Sequence, residues 1–218
     1  MPRILFEKTG NAVWISHLDL MRLFQRAFKR AGLPLKHTQG FNPRPSVSIA
    51  LPLSVGVESE CELLDFELDT TELITNKQIV SRLNKALVEG VRVLECYDNG
   101  GKLRDLAYLR CQLTLEYDNG CGDAAAEIDK LLSCDALTVP KKTKNGIQDQ
   151  DIIPMILERS VVGEAQTVVL NLTVCCQNPT LNPMQVVEAI RLHLPAFVPD
   201  HAVCRRLELL DRQQAKFK

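Results

Sequence analysis

One order of elements, met twice along the chain, constrains the fold more than any other feature. Near the N-terminus, Arg3-Ile4-Leu5-Phe6-Glu7-Lys8 reads as a strand, with Ala12-Val13-Trp14-Ile15 as its return or continuation. A helix follows, with Ser16 as N-cap candidate and Asp19 three residues on, a carboxylate variant of the capping box. Leu20, Phe24, Ala27, Phe28 and Ala31 share one helical face, and Gly32 and Pro34 end the run. Residues 46–51 form a short β run. Leu64, Phe66 and Leu68 then alternate with Asp65, Glu67 and Asp69, the period of a half-buried strand. A second helix opens on Thr75 and Gln78, buries Ile79, Leu83, Ala86 and Leu87, and stops at Gly90 before a closing strand at 91–97.

Asp98-Asn99-Gly100-Gly101 breaks the pattern, and the same order restarts. A strand at 109–117, a helix at about 122–132 and a β run at 136–139 precede the basic loop 141–146. Two paired runs at 155–162 and 167–175 lead to a helix with Asn182 as cap, Pro183 at its first position and Gln185 at its third. A strand at 203–210 closes the series. Strand–helix–strand–strand–helix–strand twice over predicts an α+β fold of two tandem ferredoxin-like (βαββαβ) halves with antiparallel sheets, residues 1–100 and 101–218.

Composition removes several classes. Of 218 residues, 45% are hydrophobic and 24% charged, enough for a real core. No apolar run approaches the roughly 18 residues of a membrane-spanning helix, and the N-terminus is not a signal peptide. The eight cysteines contain no CxxC pair and no closely spaced trio, so no metal or cofactor is expected on them. They read as reduced core thiols of a cytoplasmic protein; adjacent Cys175 and Cys176 point to opposite strand faces.

Net charge is −1, yet it is unevenly spread. Residues 1–45 carry eight Lys or Arg against Glu7 and Asp19, while residues 46–76 carry seven acids and no cation. A basic surface in one place, with acids elsewhere, fits that asymmetry. On the first helix, Arg22, Arg26, Lys29 and Arg30 fall opposite the apolar face, where they could track phosphates or stand as a solvated surface. The segment 36–45 holds Lys36, His37, Phe41, Asn42 and Arg44 between prolines that keep it extended. Phe41 could stack a base, or it could plug the core. Lys141, Lys142 and Lys144 could add phosphate contacts or form a solvated tip. His17 and His37 are the candidate proton-transfer groups, and Lys36 a candidate for stabilising phosphorane charge. Glu58, Glu60 and Glu62 could share a strand face and hold a divalent cation, or protect an edge strand.

The segments Ile15-Ser16-His17-Leu18-Asp19-Leu20-Met21-Arg22 and Gln39-Gly40-Phe41-Asn42-Pro43-Arg44-Pro45 resemble the bacterial radical SAM-linked protein family. The likeness continues through residues 51–59, the Lys-rich loop and residues 151–154. It implies a partner radical SAM protein, and the family's gene neighbourhoods imply RNA metabolism by association. This chain lacks the CxxxCxxC cluster motif, so it is not itself the radical SAM enzyme. More distantly, its element order is similar to the CRISPR repeat-processing endoribonucleases of the RAMP superfamily. That likeness implies an RNA ligand without transferring catalysis to any residue. Three expectations follow: a non-catalytic RNA-binding or substrate-presenting subunit, a metal-independent endoribonuclease, or a protein–protein adaptor without nucleic acid.

Overall fold

Alternation along β1 (Arg3–Lys8) decides what the first part of the chain can bury. The computed structural model describes residues 1–143 and 146–218. They form two compact units, residues 1–103 with Lys218 and residues 104–217. The fold class is α+β.

In the first unit, β1 lies between β3 (Glu58–Phe66) and β4 (Val91–Tyr97), and β2 (Val47–Ile49) pairs with the far side of β3. The order is β4-β1-β3-β2, with every pair antiparallel. α1 (His17–Arg30) follows β1, and α2 (Asn76–Ala86) follows β3. Ile4 and Phe6 of β1, Leu64 and Phe66 of β3, and Val91 and Val93 of β4 form one core with Leu20, Phe24 and Phe28 of α1 and Ile79 and Leu83 of α2. Phe6 meets Phe24 edge-on at 4.7 Å between centroids, and Phe28 meets Phe66 at 5.0 Å. Each fully buried ring stabilises the fold by about 1.5–3 kcal/mol through area alone.

Three charged groups are buried among these strands. The Arg3 guanidinium donates to both Asp65 oxygens, at 2.6 and 3.0 Å, and to the Gly101 carbonyl at 2.9 Å. Lys8 is fully buried and donates through Nζ to the Val13 carbonyl at 3.1 Å. A buried ammonium is costly without acceptors. That demand corrects the expected strand at 12–15: Gly10, at φ +55°, turns the chain, and residues 10–14 wind into a 3-10 turn that brings Val13 back to Lys8. A second correction concerns the acidic run. β3 pairs with β1 along residues 59–65 and with β2 at 64–66. Glu62 is buried and accepts from the Ser59 hydroxyl at 2.7 Å, while Glu58 accepts from the Gly10 amide at 3.3 Å. β3 is thus flanked by β1 and β2 rather than standing at an edge, and Glu62 is engaged by Ser59.

In the second unit, β5 (Leu106–Glu116), α3 (Ala124–Leu132), β6 (Thr138–Thr143), β7 (Gly146–Asp151), β8 (Ile156–Glu164), β9 (Thr167–Cys175), α4 (Met184–His193) and β10 (His201–Asp211) follow in order. The antiparallel sheet runs β10-β5-β9-β8. Leu109, Cys111, Leu113 and Leu115 of β5 are buried, as are Ile128 of α3 and Ile190 of α4. At the centre of the opposite face, the Gln112 amide donates to Asn171 at 3.1 Å and the Asn171 amide to Ser160 at 3.2 Å. That centre is polar. Residues 141–143 and 146 of the expected basic loop belong to strands, because β6 and β7 pair as a separate ribbon from Thr138↔Asp151 to Thr143↔Gly146, and residues 144 and 145 lie outside the described residues. Buried Val139 and the Asp151 carboxylate, which accepts from the Leu137 amide at 2.9 Å, anchor it.

Asp65→Ala leaves the Arg3 guanidinium buried without its counter-ion. It should lower unfolding free energy by about 3 kcal/mol in urea titration, and Arg3→Met with Asp65→Leu should recover most of that loss.

Candidate nucleic-acid interface

The exit from α1 builds the most distinctive surface of the first unit. Ser16 caps the helix, accepting from the Asp19 amide at 3.2 Å and donating to its carboxylate at 2.8 Å. Those contacts, the Ser16 hydroxyl first and Arg22 second, hold the Asp19 carboxyl below its ordinary range. At the other end Gly32 adopts φ +66°, which favours glycine. The Leu33 amide then reaches the Phe28 carbonyl and the Gly32 amide that of Lys29, at 2.9 and 3.2 Å, a Schellman stop. Leu33 and Leu35 are buried, with exposed Pro34 between them.

From this anchor, residues 36–46 form a hairpin. Its arms are tied by Ser46 N–H to Lys36 C=O at 2.7 Å, Thr38 N–H to Arg44 C=O at 2.8 Å and Arg44 N–H to the Thr38 hydroxyl at 3.0 Å. The base is tied to the sheet as well. Lys36 N–H donates to Glu67 C=O at 2.9 Å, and Glu67 N–H donates to Ser46 C=O at 3.1 Å. A Lys36–Glu67 ion pair at 3.0 Å adds little, because Lys36 is largely and Glu67 partly exposed and such surface pairs contribute about 0–1 kcal/mol. At the tip Phe41 is 107% exposed, which excludes the core-plug reading, and Asn42 and Arg44 stand exposed beside it.

The α1 cations divide between two surfaces rather than forming one stripe. Arg22, Arg26 and Arg30 line a groove of about 470 Å³ whose apolar wall is Ile15, Leu23 and Val88. Lys29 instead lines a pocket of about 470 Å³ with Gln25, Gly32, Leu33, Pro34, Leu35, His37 and Pro45, between the helix exit and the hairpin. Arg22 pairs with Asp19 at 3.0 Å, and Arg30 donates to the Ala86 carbonyl at 2.6 Å. Among the described residues, the side chains of Arg26, Lys29 and Arg44 have no hydrogen-bond or ion-pair partner. Three acids of residues 58–72 take other cations: Asp65 takes Arg3, Glu67 takes Lys36 and Glu72 takes Arg82. None of them neutralises an α1 cation.

The histidines are not brought together. His17 opens α1, with its Nδ1 buried and without a partner among the described residues. His37 lines a pocket with Gln25 and Lys29, which stand about 12 and about 18 Å along the helix axis from His17 at 1.5 Å per residue. Lys141, in the second unit, donates to the Thr180 carbonyl at 3.0 Å. Lys142 lies on β6, and Lys144 lies outside the described residues. Sequence reasoning missed the pocket between α1 and the hairpin, with Gln25 and Pro34; the alternation Leu33-Pro34-Leu35 after a helix-stopping glycine was its one signal. It also read Trp14 as a strand residue, whereas Trp14 is 70% exposed and Leu18 67%.

All eight cysteines are free thiols. Burial pushes the Cys96 and Cys176 thiols up to about 12, so neither is a nucleophile near neutral pH. No group of three His, Cys, Asp or Glu side chains suited to a metal ion occurs among the described residues. No helix there is long and apolar enough to cross a membrane.

Fold and surface together define an α+β protein whose first unit displays an aromatic-tipped basic hairpin beside an arginine-lined helix. The chain belongs to a family described as "Uncharacterized protein conserved in bacteria (DUF2344)", whose model matches residues 2–183. No curated protein matches it. A chain in the crystal structure of a Cbf5-Nop10-Gar1 complex is similar over 95% of this chain, at 11% identity and a TM-score of 0.51. This chain spans 48% of that one, and the likeness concerns the fold alone. An unknown protein from Galdieria sulphuraria is aligned over 94% of this chain and 96% of its own, at 13% identity and a TM-score of 0.26.

Because Phe41 touches no core, Phe41→Ala should leave the thermal and urea midpoints nearly unchanged, within about 0.5 kcal/mol. A larger loss would mean that the ring packs against the protein.

Proposed function

We propose that this protein is a cytoplasmic, non-catalytic RNA-binding subunit that presents substrate to a radical SAM enzyme. The observation that carries the RNA part of this reading is Phe41, fully exposed on a hairpin held by backbone bonds, with an unpaired Arg44 three residues away. An aromatic ring held in solvent packs against nothing in the fold, whereas base stacking gives it about 1–3 kcal/mol per base. Arg22, Arg26 and Arg30 on α1 supply a track for phosphates. The radical SAM partner is inferred from the segments around Ser16–Arg22 and Gln39–Pro45, and both units are read as ferredoxin-like halves on their strand orders.

Endoribonuclease action is less well supported, because general acid and general base must both reach the scissile phosphate. His17 or His37 would serve as the base with Lys36 beside the phosphorane, yet the two histidines lie near opposite ends of α1 and Lys36 is paired with Glu67. An adaptor role without nucleic acid has one feature in its favour, the exposed Trp14 and Leu18 at the start of α1, which suit an enzyme partner.

Arg26→Glu with Arg44→Glu should weaken binding of labelled single-stranded RNA about equally across sequences. It should also flatten the slope of log K against log salt by nearly one unit for each lost phosphate contact. A pure adaptor would show no RNA affinity at any salt concentration and would lose its enzyme partner instead.

A further inference from the structure

The pocket between the α1 exit and the hairpin has features that a phosphate track does not need. Its floor is apolar, made by Leu33, Leu35 and the rings of Pro34 and Pro45. Its volume, about 470 Å³, falls in the range of small-ligand sites. Three polar side chains converge on it: Gln25, Lys29 and His37. Among the described residues, neither the Gln25 amide nor the Lys29 ammonium has a partner, although both belong to an otherwise well-capped helix. The walls are fixed, since the Schellman stop sets Leu33 and the antiparallel bridges Leu35↔Leu68 and His37↔Pro45 set the other side.

We infer that this pocket takes one unstacked nucleobase of a single-stranded RNA, with Gln25 reading its edge. The inference rests on the RNA reading above and adds a site for sequence preference to it. A flat heterocycle suits the proline-lined floor, and a glutamine amide offers the donor and acceptor that a base edge requires. Lys29 and His37 at the rim meet the phosphate that necessarily accompanies the base. The hairpin that closes the pocket also carries Phe41, which leaves the next base a ring on which to stack. Unpaired positive charge at Lys29 and Arg44 favours an anionic strand over an acidic-poor or neutral peptide.

The test is fluorescence anisotropy of the full chain with 5′-labelled hexamers of rA, rC and rU at two salt concentrations. Gln25→Leu and Lys29→Met are compared with the unaltered protein, and thermal midpoints check that each variant is folded. The inference expects one hexamer to bind more tightly than the others by about tenfold, a preference that Gln25→Leu removes while the weakest hexamer's affinity is kept. Lys29→Met should weaken all three hexamers by a similar factor and reduce the salt slope. Binding without preference, or a preference that Gln25→Leu does not move, overturns the pocket assignment and leaves the RNA reading standing. Absence of binding by all three hexamers at low salt overturns that RNA reading, and the pocket assignment with it.

Discussion

A single residue's backbone, that of Glu67, sets the geometry on which the candidate interface depends. Its carbonyl accepts from Lys36 and its amide donates to Ser46, so both arms of the hairpin hang from the strand extension beyond Phe66. Leu35, buried and bridged to Leu68, fixes the same point from the core side and contributes about 1.5–3 kcal/mol by burial. The Lys36–Glu67 ion pair at the same place is exposed and secondary. Because main-chain bonds hold the hairpin, its side chains remain available for something else. Phe41, Asn42 and Arg44 are exposed for that reason.

Charge is arranged to the same end. In the acidic run that follows the basic N-terminal segment, Asp65, Glu67 and Glu72 pair with Arg3, Lys36 and Arg82 rather than with α1 cations. Asp19, on the same helix, pairs with Arg22 and also attracts Arg26, and it is bonded to the capping Ser16 at the same time. The near-zero net charge of the chain therefore conceals a first unit in which, among the described residues, Arg26, Lys29 and Arg44 hold no hydrogen bond or ion pair.

Much of the architecture was legible in the residues. The α1 face of Leu20, Phe24, Ala27 and Phe28, the Ser16 cap and the Gly32 stop are local signals, and local rules read them. So was the capping box of Thr75 and Gln78. What local rules could not supply was tertiary demand. Ala12–Ile15 has strand composition, yet the buried Lys8 ammonium needs the Val13 carbonyl and bends that segment into a turn. Residues 141–146 look like a solvated tip because pairing between β6 and β7 depends on partners on both sides. At the site, the residue types of 36–45 pointed to RNA, but whether Phe41 faced core or solvent depended on anchoring by Glu67, some twenty-five residues later. The pocket of Gln25, Lys29 and His37 was invisible for the same reason, since it joins a helix face to a hairpin.

The central claim is that this hairpin touches RNA. Ultraviolet cross-linking of the full chain to total cellular RNA, with modified peptides mapped by mass spectrometry, tests it directly. The account predicts adducts concentrated on residues 39–44, at Phe41 above all, with a second set on α1 near Arg26. Absence of adducts, or adducts confined to the second unit with the hairpin unmodified, would contradict it.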